Sequence, residues 1–299
     1  MRRLFYALAF VSGMALATTA PISNQPLDPK LEALRAQARA NGWTFQLGET
    51  PISHLPEEAY TGFHREANWK DLAPFVIPPH QHSLPATWDW RDKGALNPIR
   101  DQASPQYCGS CWAHGTVAAL EAAIFIKTGK LPQISEQQLV SCQPSYGTCE
   151  GGDFAFGFYK VDGANYRTDF PYVAADVPCN EDAAQHEKIS NWGYVGAAYR
   201  QPTTEELKDA IYTYGPVAAT ISASGAWQYY KGGVYNECNQ GMINHIIAIV
   251  GWDDTTQSWI IRNSHGTGWG EAGYMHIKYT DQWGRKCNRV GDSAAFVQP

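Results

Sequence analysis

A cysteine directly ahead of a helical run is a chemically pointed arrangement, and the stretch Gln102-Ala103-Ser104-Pro105-Gln106-Tyr107-Cys108-Gly109-Ser110-Cys111-Trp112 puts Cys111 in that place. Unpaired N–H groups and the positive end of the macrodipole at a helix N-terminus favour thiolate over thiol, and the thiolate is the nucleophile. An imidazole alongside would deepen the effect. His245 is the candidate, because it opens the apolar run His245-Ile246-Ile247-Ala248-Ile249-Val250, a strand that would hold it rigidly. Asn263 follows the next strand, and its side-chain oxygen can accept from one ring nitrogen while the other faces the sulfur. Nucleophile, proton-transfer group and orienting group together describe covalent catalysis by a thiolate, with no metal and no cofactor expected. Two rivals use the same residues. Cys108-Gly109-Ser110-Cys111 is formally a CxxC opening a helix, as a redox couple would be, and a metal site would need paired Cys/His ligands that do not follow it.

Helix signals dominate the first half of the region that carries these residues. Ser110 stands as N-cap and Gly129 as stop for a helix over Cys111–Lys127, whose Trp112, Thr116, Ala119, Ala123 and Ile126 share one face. Capping signals at Ser135 to Gln138 and at Thr203 to Glu206 open two more, and Gly215-Pro216 ends the latter. Past Pro216 the pattern turns to strands, over Val217–Ile221, His245–Trp252, Trp259–Arg262 and Tyr274–Tyr279. Helices first and strands second imply an α+β fold of two lobes, with a cleft between them where groups from each half meet.

The chain upstream has another character. Basic Met1-Arg2-Arg3 and an apolar run too short to span a bilayer read as a signal peptide over residues 1–20. Residues 21–83 contain no cysteine. They hold one short helix, capped by Asp28 with Pro29 at its first position and stopped at Asn41-Gly42, then a Pro- and His-rich linker. Too small to bury much apolar surface alone, this segment reads as a propeptide that packs on the remainder through Trp43 and Phe45, runs through the cleft as an intramolecular inhibitor, and leaves by cleavage near Ser83-Leu84. Residues 84–299 would then be the mature domain, the alternative being an N-terminal subdomain that stays.

A hydrophobic fraction of 44% with 11 Trp and 16 Tyr supplies an ample core, and a net charge of −6 without a basic cluster argues against a nucleic-acid partner. No later stretch is apolar enough for a membrane span, so no membrane association is expected after signal removal. Seven cysteines suit an oxidising destination and leave one thiol unpaired, although spacing alone does not say which.

The run Cys108-Gly109-Ser110-Cys111-Trp112, the pair Asn244-His245, and Asn263-Ser264 ahead of Gly268-Trp269-Gly270-Glu271 resemble the papain family of cysteine peptidases, over Leu84 to about Val297. The resemblance implies a papain-like fold with a helical and a β-rich lobe, and hydrolysis of peptide or protein substrates. Cys111 would attack the scissile carbonyl, Gln102 and the Cys111 N–H would bind the oxyanion, and His245 would protonate the leaving amine and later activate water. It also implies the pairs Cys108–Cys149, Cys142–Cys179 and Cys238–Cys287, which leaves Cys111 free. Gly151 and Gly152 would let an extended substrate backbone approach closely, unless they merely serve a turn.

In detail Gln106 to His114 is most similar to the cathepsin X (cathepsin Z) branch, which also has extra residues after the oxyanion Gln. That branch carries a carboxylate-binding His where this chain has Ala103, so endopeptidase action is expected over carboxypeptidase action, with a catalytically silent binding protein as a further alternative. His265 stands where the family has Trp, as a weaker shield of the Asn–His bond and a wall for substrate, or as a tolerated surface residue. By the same resemblance Asp292 would fall near the segment that lines the pocket for the side chain two residues before the cut, where it could accept Arg. His114 reads as structural. The expected protein is a monomeric zymogen, secreted or held in an acidic lysosome-like compartment.

Overall fold

The computed structural model describes residues 28–65, 67–81 and 83–299. The expected signal peptide therefore lies outside the described residues. In the upstream segment come α1 (Pro29–Asn41), β1 (Gln46–Leu47), α2 (Glu57–Tyr60) and β2 (Phe75–Val76). Next are β3 (Thr87–Asp89), α3 (Cys111–Thr128), α4 (Glu136–Cys142), β4 (Gly147–Thr148), β5 (Gly151–Gly152), α5 (Phe156–Val161) and β6 (Asn191–Val195). The last third holds α6 (Thr204–Tyr214), β7 (Val217–Ile221), β8 (Tyr230–Gly232), β9 (Val234–Tyr235), β10 (His245–Asp253), β11 (Ser258–Arg262), β12 (Tyr274–Lys278) and β13 (Ala294–Gln298).

Two cores define two lobes. One gathers Trp112, Leu120, Leu139, Phe154 and Tyr159 around α3, α4 and α5. The other gathers Leu207, Val217, Ile249, Trp252, Trp259 and Met275 on the large mixed sheet, ordered β2-β6-β13-β7-β10-β11-β12-β9 with β3 also on β10. The α+β, two-lobed expectation holds. Three disulfides join Cys108 to Cys149, Cys142 to Cys179 and Cys238 to Cys287, as the resemblance implied, and leave Cys111 free.

α3 is the element between the lobes. Every residue from Cys111 to Ile124 is buried, because β5, β7, β10, β13 and α4 all pack against it, so no single face is apolar. Ile126, expected on the buried face, is instead 39% exposed, beyond the reach of those neighbours. Gly115 permits the closest approach to β10, since a Cβ there would lie 2.5 Å from Ile246 Cγ2. Ser110 does not cap the helix with its side chain; its hydroxyl is engaged with Tyr172 Oη at 2.6 Å. The capping expectations do hold at α6, where Thr203 and Glu206 form the reciprocal box, and at α4, where Ser135 Oγ accepts from Gln138 N–H at 3.1 Å.

The upstream segment is docked along its length. Asp28 caps α1, whose Leu31 and Leu34 are buried. Phe45 lies 4.3 Å from Tyr235 and stacks on Trp43 at 5.4 Å, while β1 pairs with β8, so these aromatics anchor the segment on the β-rich lobe rather than in the cleft. Further on, β2 adds a parallel strand beside β6, and Trp69 meets Tyr194 edge-on at 5.0 Å. No helix among the described residues is long and apolar enough to cross a membrane.

Candidate active site

Cys111 begins α3 and His245 begins β10, and the tight Gly115–Ile246 contact brings these two starting points together. Both side chains are fully buried. His245 Nε2 lies 2.8 Å from Asn263 Oδ1 at the end of β11, and Nδ1 has no hydrogen-bond partner among the described residues. The nitrogen that Asn263 leaves free is thus the one available to the thiol. The Asn263 oxygen is itself fixed by the Ser264 N–H, at 2.9 Å. Gln102 is oriented as firmly: its Oε1 accepts from Ser264 Oγ at 2.7 Å, and its Nε2 is left to donate into the cleft.

Burial dominates the titration of the pair. It pushes the Cys111 thiol up to about 12, against the opposing effect of the Ile246, Trp112 and Cys111 backbone N–H groups. It holds His245 down to about 4, despite the bond to Asn263. Burial thus favours the neutral form of both groups in this covered site and opposes the thiolate that the helix N-terminus would support.

What covers the site is the chain's own upstream segment. Gly62 and Phe63 N–H groups donate to Asn244 O at 3.0 Å, Gly152 N–H donates to Gly62 O at 2.9 Å, and His64 N–H donates to Gly152 O at 3.0 Å. Gln102 Nε2 donates to Thr61 O at 3.0 Å, so the amide assigned to an oxyanion already holds a peptide carbonyl. Gly62 has φ +141°, and a Cβ there would stand 1.9 Å from Gly109 O. Gly152 does more than turn the chain, since its N–H and C=O both bond the extended stretch Gly62 to His64, and a Cβ on Gly151 would stand 2.9 Å from Gly62 O.

His265 is no surface residue. It is fully buried, stacked on the His245 ring at 5.1 Å and 22°, edge-on to Trp269 at 6.0 Å, and met by Tyr60 of the upstream segment at 6.1 Å. Burial drives its pKa well below the usual imidazole range. Trp227, 5.9 Å from His245, covers another side. His114 is structural as expected, with Nδ1 3.0 Å from Ser110 O. Asp292 is not brought to this group. Its carboxylate accepts from Arg289 Nε at 2.8 Å and borders surface depressions shared with Gln201 and Pro202. An acid that the sequence pattern did not single out is Asp153, next to Gly152, buried and 3.1 Å from Arg65 of the upstream segment. Among the described residues no three His, Cys, Asp or Glu side chains gather as a metal would require.

Residues 84–296 match the family model described as papain family cysteine protease. The chain belongs to the papain family. It is 35% identical over 252 residues to the cysteine proteinase COT44 of Brassica napus, covering 79% of this chain and 75% of the relative. It is 39% identical over 212 residues to the cathepsin L-like peptidase of Aedes aegypti, covering 67% of this chain and 61% of the relative. Among solved structures, procathepsin L2 from the larval midgut of Tenebrio molitor aligns with a TM-score of 0.78 at 29% identity, over 90% of this chain and 89% of that one. A Carica candamarcensis cysteine protease in complex with E-64 aligns at 0.66 and 33% identity, over 72% of this chain and 99% of that one. The protein is thus a papain-like cysteine peptidase whose relatives are cathepsin L-like and plant enzymes. The expected kinship with the cathepsin X branch is not what these relatives show; they are cathepsin L-like and plant cysteine proteases.

Proposed function

We propose that the chain is a secreted zymogen of an endopeptidase. Residues 1–20 direct export, residues 21–83 inhibit, and cleavage near Ser83-Leu84 frees residues 84–299. The observation that carries the reading is that Thr61 to His64 lies in the cleft as an extended peptide, bonded to Asn244 on one lobe and Gly152 on the other, with a carbonyl on Gln102. A cleft that holds its own backbone this way is fitted to hold another.

When the segment departs, water reaches Cys111 and His245, the desolvation that kept them neutral is relieved, and the helix end and imidazolium can support a thiolate. Cys111 Sγ then attacks the scissile carbonyl. The developing oxyanion takes the place of the Thr61 carbonyl on Gln102 Nε2 and accepts also from the Cys111 N–H. His245, held by Asn263, gives its proton to the leaving amine, and a water activated by His245 hydrolyses the thioester. Endopeptidase action follows from Ala103-Ser104-Pro105, which offers a substrate carboxylate no cation. His265 is walled in behind His245 and Tyr60 and supplies none while neutral.

Latency tests the proposal. The purified precursor should hydrolyse a fluorogenic peptide at a small fraction of the rate of the chain beginning near Leu84. Equal rates at equal thiol content would show that the segment does not block the site.

A further inference from the structure

The carboxylate that follows Gly152 takes no part in the chemistry above, yet it is the most deliberately enclosed charge at the cleft. Asp153 is 0% exposed, and its Oδ1 is aimed by the Phe154 N–H at 2.8 Å. Its Oδ2 lies 3.1 Å from Arg65 Nη1. The Arg65 guanidinium sits 4.2 Å over the ring of Trp69, 4.7 Å over Phe63 and 5.8 Å over Phe154. Arg65 comes two residues after Phe63, the residue whose backbone bridges to Gly152, so it continues the same extended stretch past the catalytic centre.

The partners divide unequally between the two parts of the chain. Phe63, Arg65 and Trp69 belong to the segment that leaves, whereas Asp153 and Phe154 belong to the part that stays. A buried carboxylate is tolerated when paired and is costly when its cation is withdrawn. Removal of the segment opens a place beside the peptide-binding backbone of Gly152, shaped around a planar cation and floored by an aromatic ring. Arginine suits such a place better than lysine, since its fork can meet the carboxylate in two bonds while its face lies on Phe154.

We propose that Asp153 and Phe154 form a subsite for an arginine side chain of the substrate stretch lying along Gly152, and that Arg65 is the precursor's own stand-in for that arginine. The proposal rests on the peptidase reading and deepens it. It also transfers to Asp153 the basic preference expected of Asp292, whose carboxylate is taken by Arg289.

The test uses processed enzyme, wild type and Asp153→Asn, and peptides carrying either arginine or its neutral isostere citrulline in turn at each of the four positions before the cut. At one position wild type should favour arginine by at least about tenfold in kcat/KM, and Asp153→Asn should reduce that preference to within about threefold. A wild type indifferent to the exchange at every position overturns the proposal, as does a preference that survives in the variant. If Asp153→Asn does not fold, the wild-type ratio alone decides. If wild type cleaves neither peptide, the peptidase reading has failed separately, and fluorescence anisotropy of the same peptides on processed Cys111→Ser protein decides the subsite by the same tenfold criterion.

Discussion

Acid should loosen the precursor, and His245 should account for a measurable share of the effect. The imidazole is held near 4 in the covered site by burial, against an ordinary value of 6.5. Its folded-state value is depressed, so its contribution to stability is complete above pH 6.5 and is lost as pH falls toward 4. Each unit is worth about 1.4 kcal/mol, so the full shift corresponds to about 3 kcal/mol, of which about 2 kcal/mol is lost by pH 5. The Cys111 thiol, pushed up to about 12, stays neutral throughout this range and adds nothing. His265 is depressed for the same reason and acts in the same direction. The assay is urea unfolding of the Cys111→Ser precursor, which cannot digest itself, at pH 7.5 and pH 5, alone and with His245→Gln. The parent should lose more stability on acidification than the His245→Gln protein by about 2 kcal/mol. Equal losses in the two proteins would refute the claim that burial holds this imidazole neutral.

Three further outcomes follow from the geometry. Gly62→Ala should release the precursor, raising its activity before processing, because the new Cβ would fall 1.9 Å from Gly109 O at a φ of +141°; unchanged latency would mean that the crossing does not depend on that contact. In processed enzyme His245→Ala should cost several orders of magnitude in kcat and Asn263→Ala clearly less, since orientation is a smaller contribution than proton transfer, and the reverse order would exchange their roles. Amidating the C-terminus of a peptide substrate should change its cleavage by less than about tenfold, about 1.4 kcal/mol; a larger loss would mean carboxylate anchoring and carboxypeptidase action.

Much of this site can be read from the chain because its chemistry is local. Cys111, His245 and Asn263 stand at a helix start, a strand start and a strand end, and such boundaries carry their own signals in glycines and β-branched runs. Gln102 was legible only through its place in the motif; that its amide nitrogen points inward depends on Ser264, far along the chain. His265 illustrates what local patterning omits. A histidine in a Ser- and Gly-rich loop looks exposed, and only the assembly of Tyr60, His245 and Trp269 around it makes it buried. Trp43 and Phe45 announce a docking segment, but not that the cleft is crossed some fifteen residues later by Thr61 to His64, whose unremarkable side chains matter less than their backbone. β6 and β13 carry no clear strand pattern because Gly193 interrupts one and alanines begin the other, and the pairing between them supports both. Counting along the chain favours Asp292 over Asp153, because it cannot show that Arg289 already claims the former.

The central claim is that Cys111, the one free thiol among the described cysteines, is the nucleophile. Its most direct measurement is mass spectrometry of the processed enzyme after graded alkylation with iodoacetamide, with residual peptidase activity followed in the same samples. One modified residue, Cys111, is expected, with activity lost in one-to-one proportion to its labelling, while the six other cysteines stay in their disulfides. Activity that persists after Cys111 is fully alkylated, or a Cys108–Cys111 couple that opens together on mild reduction, would contradict it.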